Sequence, residues 1–183
     1  MENRQNSTNI NWFPGHMAKT RKQITEDLKL VDVVIEILDA RIPISSQNPE
    51  IKKITQNKKK VVVLNKSDLS DENENKRWME YFIKQGNRVV LVDSNTGKGV
   101  NDVIKQIQIA MAEEMKKLSE KGRIGRKIRV MIVGIPNVGK SSFINRISKR
   151  STAGVGNKPG VTKQKQWIRI NKKLELLDTP GVL

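Results

Sequence analysis

Residues 128–141 read IRVMIVGIPNVGKS, so a mostly apolar run leads straight into Gly134-Ile-Pro-Asn-Val-Gly139-Lys140-Ser141. This GxxxxGK[ST] pattern constrains the fold more than any other feature. It calls for a strand, a glycine-bracketed loop and then a helix, here 141–148. The glycines let the backbone wrap an anion, and the first amides of the helix face the same point. Lys140 is expected to reach the terminal phosphates of a nucleoside triphosphate, and the Ser141 hydroxyl to hold Mg²⁺. Asn137, Val138, Gly139 and Ser142 complete the expected phosphate cradle. The plainer alternative is a glycine-rich strand-to-helix turn.

The rest of the chain supplies the sheet such a loop needs. Runs at 31–39 (VDVVIEILD), 60–65 (KVVVLN), 88–93 (RVVLVD) and 128–134 (IRVMIVG) are nearly continuous and β-branched. Such runs suit parallel strands buried on both faces. Helical patterns lie at 17–30, 48–57, 71–86 and 99–120, the last with Val100, Val103, Ile104, Ile107 and Met111 on one stripe. Strands at 166–170 and 173–177, joined through Asn171-Lys172, read as a hairpin. The expected fold class is therefore α/β, a six-stranded, mostly parallel sheet with helices on both faces. Residues 1–9 read as a disordered tail and 119–127 as a glycine-dotted basic linker. Neither side of that linker could bury its strands alone, so one sheet drawing on both is expected.

Composition removes whole classes of chemistry. The 183 residues contain no cysteine and one histidine, His16. Disulfide frameworks, thiolate zinc sites, cysteine nucleophiles and multi-histidine metal sites are thereby excluded. No long uncharged apolar run is present and residues 1–15 lack a signal-like core, which leads to the expectation of a cytoplasmic protein with no membrane partner. Lys and Arg number 35 against 19 acidic residues, a net charge of +16. Residues 116–129 hold seven basic residues and one acid; residues 149–173 hold eight and none. An excess of that size favours a polyanionic partner, nucleic acid or ribonucleoprotein, over a merely solvated face. Trp12, Trp78 and Trp167 are too scattered to form a base-stacking platform.

Two further segments gain meaning from their position. Asn65-Lys66-Ser67-Asp68 follows a buried strand, at the edge where open α/β sheets bind ligands. A carboxylate at Asp68 can accept from both N1–H and the exocyclic amine of guanine, whereas adenine offers an acceptor at N1. The Lys66 stem can lie along the base, and Asn65 can bond the ring and nearby loops. Asp178-Thr-Pro-Gly181 follows the strand LELL. Asp178 is expected to bind Mg²⁺ through water and the Gly181 amide to sense the γ-phosphate. Thr162, in the loop 153–163, is the threonine placed to be a second Mg²⁺ ligand and to serve catalysis.

Together these segments resemble the motif set of Ras-like, translation-factor-class GTPases in rotated order: NKSD, then Ser94-Asn95, then the phosphate loop, Thr162 and DTPG. With Trp12-Phe-Pro-Gly-His16-Met-Ala-Lys19 and the run Asp39-Ala-Arg-Ile-Pro-Ile-Ser-Ser-Gln-Asn-Pro49, the chain is similar to the circularly permuted ribosome-biogenesis GTPases of the RbgA/YlqF type. The resemblance covers about residues 10–183. It implies a P-loop GTPase fold in permuted order, with a guanine-specificity half (31–118) and a phosphate-binding half (128–183). It implies GTP/GDP and Mg²⁺ as ligands, and hydrolysis that is slow alone and stimulated by a ribosomal particle. The implied partner is the large ribosomal subunit precursor with its rRNA, met by a monomer. Ser94-Asn95 stands where the family has Ser-Ala, whose backbone contacts the guanine carbonyl. Val182 stands where Ras-like enzymes have a water-orienting glutamine, and the resemblance gives that role to His16. Asn137 matches the asparagine that related GTPases use to hold K⁺. Family members continue past DTPG into a helical RNA-binding domain, so the resemblance leaves two expectations: these 183 residues are a fragment, or that part is absent. The competing classes are a P-loop nucleotide kinase or transferase, and an RNA-binding module with a non-hydrolysing nucleotide site.

Overall fold

The computed structural model describes residues 14–149 and 166–178. Along the chain these form α1 (Pro14–Leu28), β1 (Val33–Asp39), α2 (Pro49–Ile54), β2 (Lys59–Asn65), a 3₁₀ turn (Ser67–Leu69) and α3 (Glu72–Lys84). There follow β3 (Arg88–Val92), α4 (Val100–Ala110), α5 (Ala112–Glu120), β4 (Ile128–Val133), α6 (Lys140–Lys149), β5 (Gln166–Arg169) and β6 (Leu174–Asp178). The six strands lie in the order β3-β2-β1-β4-β6-β5, and only the β5–β6 pair is antiparallel. One sheet thus takes strands from both sides of the linker, with Val33 opposite Val130 and Glu36 opposite Val133.

Period-two burial assigns the faces. Val33, Ile35 and Ile37 of β1 point to one side and meet Val100, Val103 and Ile107 of α4 with Phe143 and Ile147 of α6. Val34 points to the other, where Ile24 and Leu28 of α1 and Ile51 of α2 cover Met131, Val133 and Leu177. Farther along that face Leu38, Val62 and Leu64 pack on Phe82 of α3, with Trp78 alongside. Each side chain fully buried this way contributes about 1.5–3 kcal/mol. Between the two clusters of the second face lies an ion pair, Lys60 Nζ to Glu36 Oε2 at 2.9 Å, with both side chains nearly buried. Removing either partner alone would strand the other charge in the sheet.

Local chemistry sets the helix ends. Asn48 caps α2 by accepting from the Glu50 and Ile51 amides, and Pro49 takes the first helical position, where no amide partner is needed. Asp71 caps α3 in the same way through the Asn73 and Glu74 amides. The expected single helix over 99–120 is instead two, broken at Met111 (φ −104°, ψ 2°). There the Lys59 ammonium, arriving from β2, takes the Ala110 carbonyl at 2.7 Å and pairs with Glu114, also at 2.7 Å. The hairpin falls where expected, with Trp167 opposite Leu177 and its turn at 170–173. Trp167 lies under the Arg129 guanidinium, 4.7 Å from ring centroid to Cζ, so it packs and does not form a stacking platform.

Candidate nucleotide-binding site

The strand order puts the expected motifs at one edge. β1, β2 and β3 step away in one direction, and the chain then crosses to place β4 on the other side of β1. The crevice beyond the carboxyl ends of such strands is where doubly wound sheets take ligands. Asp39, Asn65, the Asp93–Gly97 loop, the phosphate loop and Asp178 all follow or end strands at that edge.

Asn65 locks three of these segments together. Its Nδ2 donates to the Val138 carbonyl at 2.9 Å, and its Oδ1 accepts from the Ser94 hydroxyl at 2.7 Å and the Ser94 amide at 3.3 Å. Gly139 permits the approach, because a Cβ there would collide with Asn65 Nδ2, and its φ of +95° suits glycine. Lys66 adopts a left-handed conformation (φ 61°) and donates from Nζ to the Asn137 carbonyl at 2.6 Å and to Asp39 Oδ2 at 2.9 Å. The two halves of the chain therefore meet through side chains of the NKSD segment.

Asp39 and Arg41 escaped the sequence reading as site residues, although both lie in a quoted run. Asp39 is buried and accepts from Arg41 Nε at 2.9 Å, Arg41 Nη2 at 2.8 Å and the Arg41 amide at 3.0 Å. These bonds to Arg41, aided by Lys66 and opposed by burial, hold its carboxyl well below the usual carboxylate range. A negative charge kept there fixes the Lys66 ammonium and, through it, the phosphate loop. Nothing in the local pattern marks Asp39 as a site residue, because Lys66, the partner that links it to the phosphate loop, is 27 residues away.

Asp68 sits exposed in the 3₁₀ turn and makes no hydrogen bond among the described residues. The turn is pinned from below by the buried Asn75, which accepts from the Ser70 hydroxyl at 2.7 Å and donates to the Ser67 carbonyl at 3.3 Å. Asn95 is exposed at the tip of its loop, and its amide donates to Asp93 Oδ1 at 2.8 Å. The Asn95 amide is thus paired within the loop. The Thr96 hydroxyl, against the effect of burial and with the Asn95 and Thr96 amides, lowers the Asp93 pKa.

In the phosphate loop Val138 is buried in the core, so only its backbone serves the site. Asn137 holds φ 69° at the exposed tip. Lys140 Nζ spans the loop to the Ile135 carbonyl at 2.6 Å, and burial pushes its pKa down to about 8. Ser141 and Ser142 are exposed in the first turn of α6. Asp178 ends β6, the strand beside β4. Among the described residues no cluster of three or more His, Cys, Asp or Glu could hold a metal by itself. One hydroxyl and one carboxylate nevertheless fit Mg²⁺, which takes few protein ligands and completes its shell with phosphate oxygens and water. Thr162 and Gly181 lie outside the described residues. His16 falls in the first turn of α1, where only the backbone is described.

The Lys140 shift gives a pH prediction. Below pH 8 the lysine is charged with or without a ligand; a polyphosphate raises its pKa, so above pH 8 binding takes up a proton. Affinity for a nucleoside triphosphate should then fall with pH above about 8, by up to about tenfold per unit. Titration calorimetry at pH 8.5 in buffers of different ionisation enthalpy should register the uptake; equal heats after buffer correction would contradict it. Without ligand the sign for stability is opposite. The unfolded chain binds more protons between pH 8 and 10.5, so Lys140 opposes folding below pH 8 and less so as pH rises through that window.

Comparisons with known proteins show which family and fold the chain shares. The family described as "50S ribosome-binding GTPase" matches residues 129–183. The chain is 48% identical over 174 residues to Ribosome biogenesis GTPase A of Bacillus cereus, covering 95% of this chain and 59% of that protein. The corresponding protein of Thermotoga maritima is 38% identical over 174 residues, again 95% and 59%. Among solved structures, GNP-bound YlqF from T. maritima superposes with a TM-score of 0.62 at 34% identity, over 90% of this chain and 58% of that one. YjeQ from T. maritima shares the fold at 20% identity and a TM-score of 0.55. The chain spans about 60% of the length of the curated relatives it matches.

Proposed function

This chain belongs to the RbgA/YlqF family of circularly permuted P-loop GTPases, and we propose that it is a GTP-hydrolysing switch acting in late assembly of the large ribosomal subunit. One observation carries the reading at the site: the NKSD segment is bonded directly to the GxxxxGKS loop through Asn65–Val138 and Lys66–Asn137. A nucleotide kinase would need no such carboxylate-bearing segment beside its phosphate loop.

In this reading Asp68 accepts from the guanine edge, the Lys66 stem lies on the base, and the loop at Ser94-Asn95 closes its far side. The amides from Asn137 to Ser142 and the Lys140 ammonium hold the phosphates. Ser141, Asp178 and Thr162 hold Mg²⁺, which neutralises charge on the β- and γ-phosphate oxygens when bound. The Gly181 amide senses the γ-phosphate. Asn137, whose side chain makes no hydrogen bond among the described residues, is available to K⁺. GTP and GDP are the two ligand states, and the particle that stimulates turnover is a large-subunit precursor bound through its rRNA. Among the described residues no helix is long and apolar enough to cross a membrane. We assign the protein to the cytoplasm as a monomer.

His16 is assigned to orient the attacking water. The direction of α1 supports this: the helix packs on Val34 and Met131, ends at Leu28, and reaches β1 at Val33 after only a short link. It must run antiparallel to β1, which brings its first turn to the edge that carries the phosphate loop. His16→Ala should slow hydrolysis on the ribosomal particle about 10²-fold, with GTP affinity changed less than twofold. Single-turnover hydrolysis with large subunits checks it, and undiminished turnover would remove His16 from the role.

The function itself is tested by co-sedimentation with large ribosomal subunits in the presence of a non-hydrolysable GTP analogue, GDP or an ATP analogue. Pelleting should favour the GTP analogue at salt high enough to suppress unspecific phosphate contacts. Pelleting indifferent to nucleotide would count against the switch.

A further inference from the structure

Arg146 belongs to no motif, yet it ties the phosphate-loop helix to the loop on the far side of the base. It lies in the second half of α6 (Lys140–Lys149), and its Nε donates to the Ser94 carbonyl at 3.1 Å. Ser94 is buried, and all three of its polar groups are engaged. Its amide and hydroxyl bond Asn65 Oδ1, and its carbonyl is taken by Arg146. The aliphatic part of Arg146 also fills the space beside Gly97. A Cβ at Gly97 would lie 3.0 Å from Arg146 Cδ, on a residue whose φ is already +86°.

The Asp93–Gly97 loop is thus clamped from two directions, and both lead back to the phosphate loop. Asn65 reaches Ser94 with one end of its amide and the Val138 carbonyl with the other. Arg146 reaches Ser94 from the helix that the phosphate loop begins. Val138, Asn65, Ser94, Arg146 and α6 form a closed circuit of bonds. Without Arg146 that circuit opens only on the base side, because the bonds of Asn65 to Val138, Lys66 to Asn137 and Lys140 to Ile135 do not pass through it.

We infer that Arg146 is a positioning residue for base recognition: from the phosphate-loop helix it sets the place of the Asp93–Gly97 loop against the nucleobase. The inference rests on the guanine-nucleotide reading above. Its physical basis is the Ser94 carbonyl on a buried residue, held by a cationic donor; removing that donor costs the loop the bond that fixes it to α6.

The test separates base from phosphate by comparing equilibrium affinities of the 183-residue protein for GTP, ATP and inorganic tripolyphosphate. In Arg146→Ala, GTP affinity should fall about tenfold, the loss of one charge-assisted hydrogen bond, while tripolyphosphate affinity stays within twofold. The GTP-over-ATP preference should shrink accordingly. Arg146→Lys, which keeps a cationic donor on a flexible stem, should recover part of the loss. Equal losses for GTP and tripolyphosphate would mean general damage to α6 and would overturn the inference, as would an unchanged GTP affinity. If the wild type showed no preference for GTP over ATP, the guanine reading would fall. The comparison of ATP with tripolyphosphate in Arg146→Ala would still decide whether Arg146 acts on the base end.

Discussion

Gly139→Ala should lower the melting temperature by about 10 °C and abolish nucleotide binding at ordinary concentrations. The methyl group would enter the space of Asn65 Nδ2 while the backbone is held at φ +95°. Left-handed backbone at a residue with a Cβ costs about 1–2 kcal/mol. Displacing the Asn65 amide would leave the Val138 carbonyl and the Asn65 amide without each other, about 1–3 kcal/mol more. A total of about 2–5 kcal/mol at about 2–4 °C per kcal/mol brackets the stated shift for a chain of this size. A double-mutant cycle identifies the mechanism. In the Asn65→Ala background the collision partner is gone, so Gly139→Ala should cost only its backbone strain. Strict additivity in thermal unfolding would refute the contact.

Asp68→Asn should reduce the preference for GTP over ATP by about 10²- to 10⁴-fold, because two hydrogen bonds to a charged acceptor, at about 1.5–3 kcal/mol each, are lost or inverted. The stability of the fold should be unaffected, since Asp68 is exposed and makes no hydrogen bond among the described residues. Xanthosine triphosphate supplies the positive control. Its 2-oxo group accepts where guanine donates, so the variant amide should bind it better than the wild-type carboxylate does. An unchanged GTP/ATP ratio would remove Asp68 from base recognition, and a loss for all three nucleotides would point to the loop and not the carboxylate.

The two substitutions differ in how far the sequence anticipates them. The role proposed for Asp68 comes from four consecutive residues at the end of a buried strand, whose chemistry can be read without their partners. The phosphate loop was legible for the same reason, as was the hairpin, where Asn171 and Lys172 interrupt two alternating runs. The collision at Gly139 was not legible, since Asn65 stands 74 positions earlier in the chain. Nor was the break at Met111: the apolar stripe continues through it, and Lys59, a residue of another strand, meets the chain there. Asp39 and Arg146 were missed on the same physical ground. Each matters through a hydrogen bond whose partner is remote, and periodicity carries no information about remote partners.

By itself the sequence determined most of the element types and the buried faces, and it pointed to the kind of ligand proposed, because apolar spacing, glycine placement and short motifs act within one or two turns of chain. It also determined the rotated order of the motifs, which is a property of the chain alone. The tertiary structure decided how those pieces meet. The order β3-β2-β1-β4-β6-β5 puts the end of β1 beside both NKSD and the phosphate loop. Only in that arrangement can Asp39 hold Lys66, Asn65 hold Val138 and Ser94, and Arg146 hold the Asp93–Gly97 loop. Those contacts depend on which strands are neighbours, and strand neighbours are chosen by the packing of the whole core.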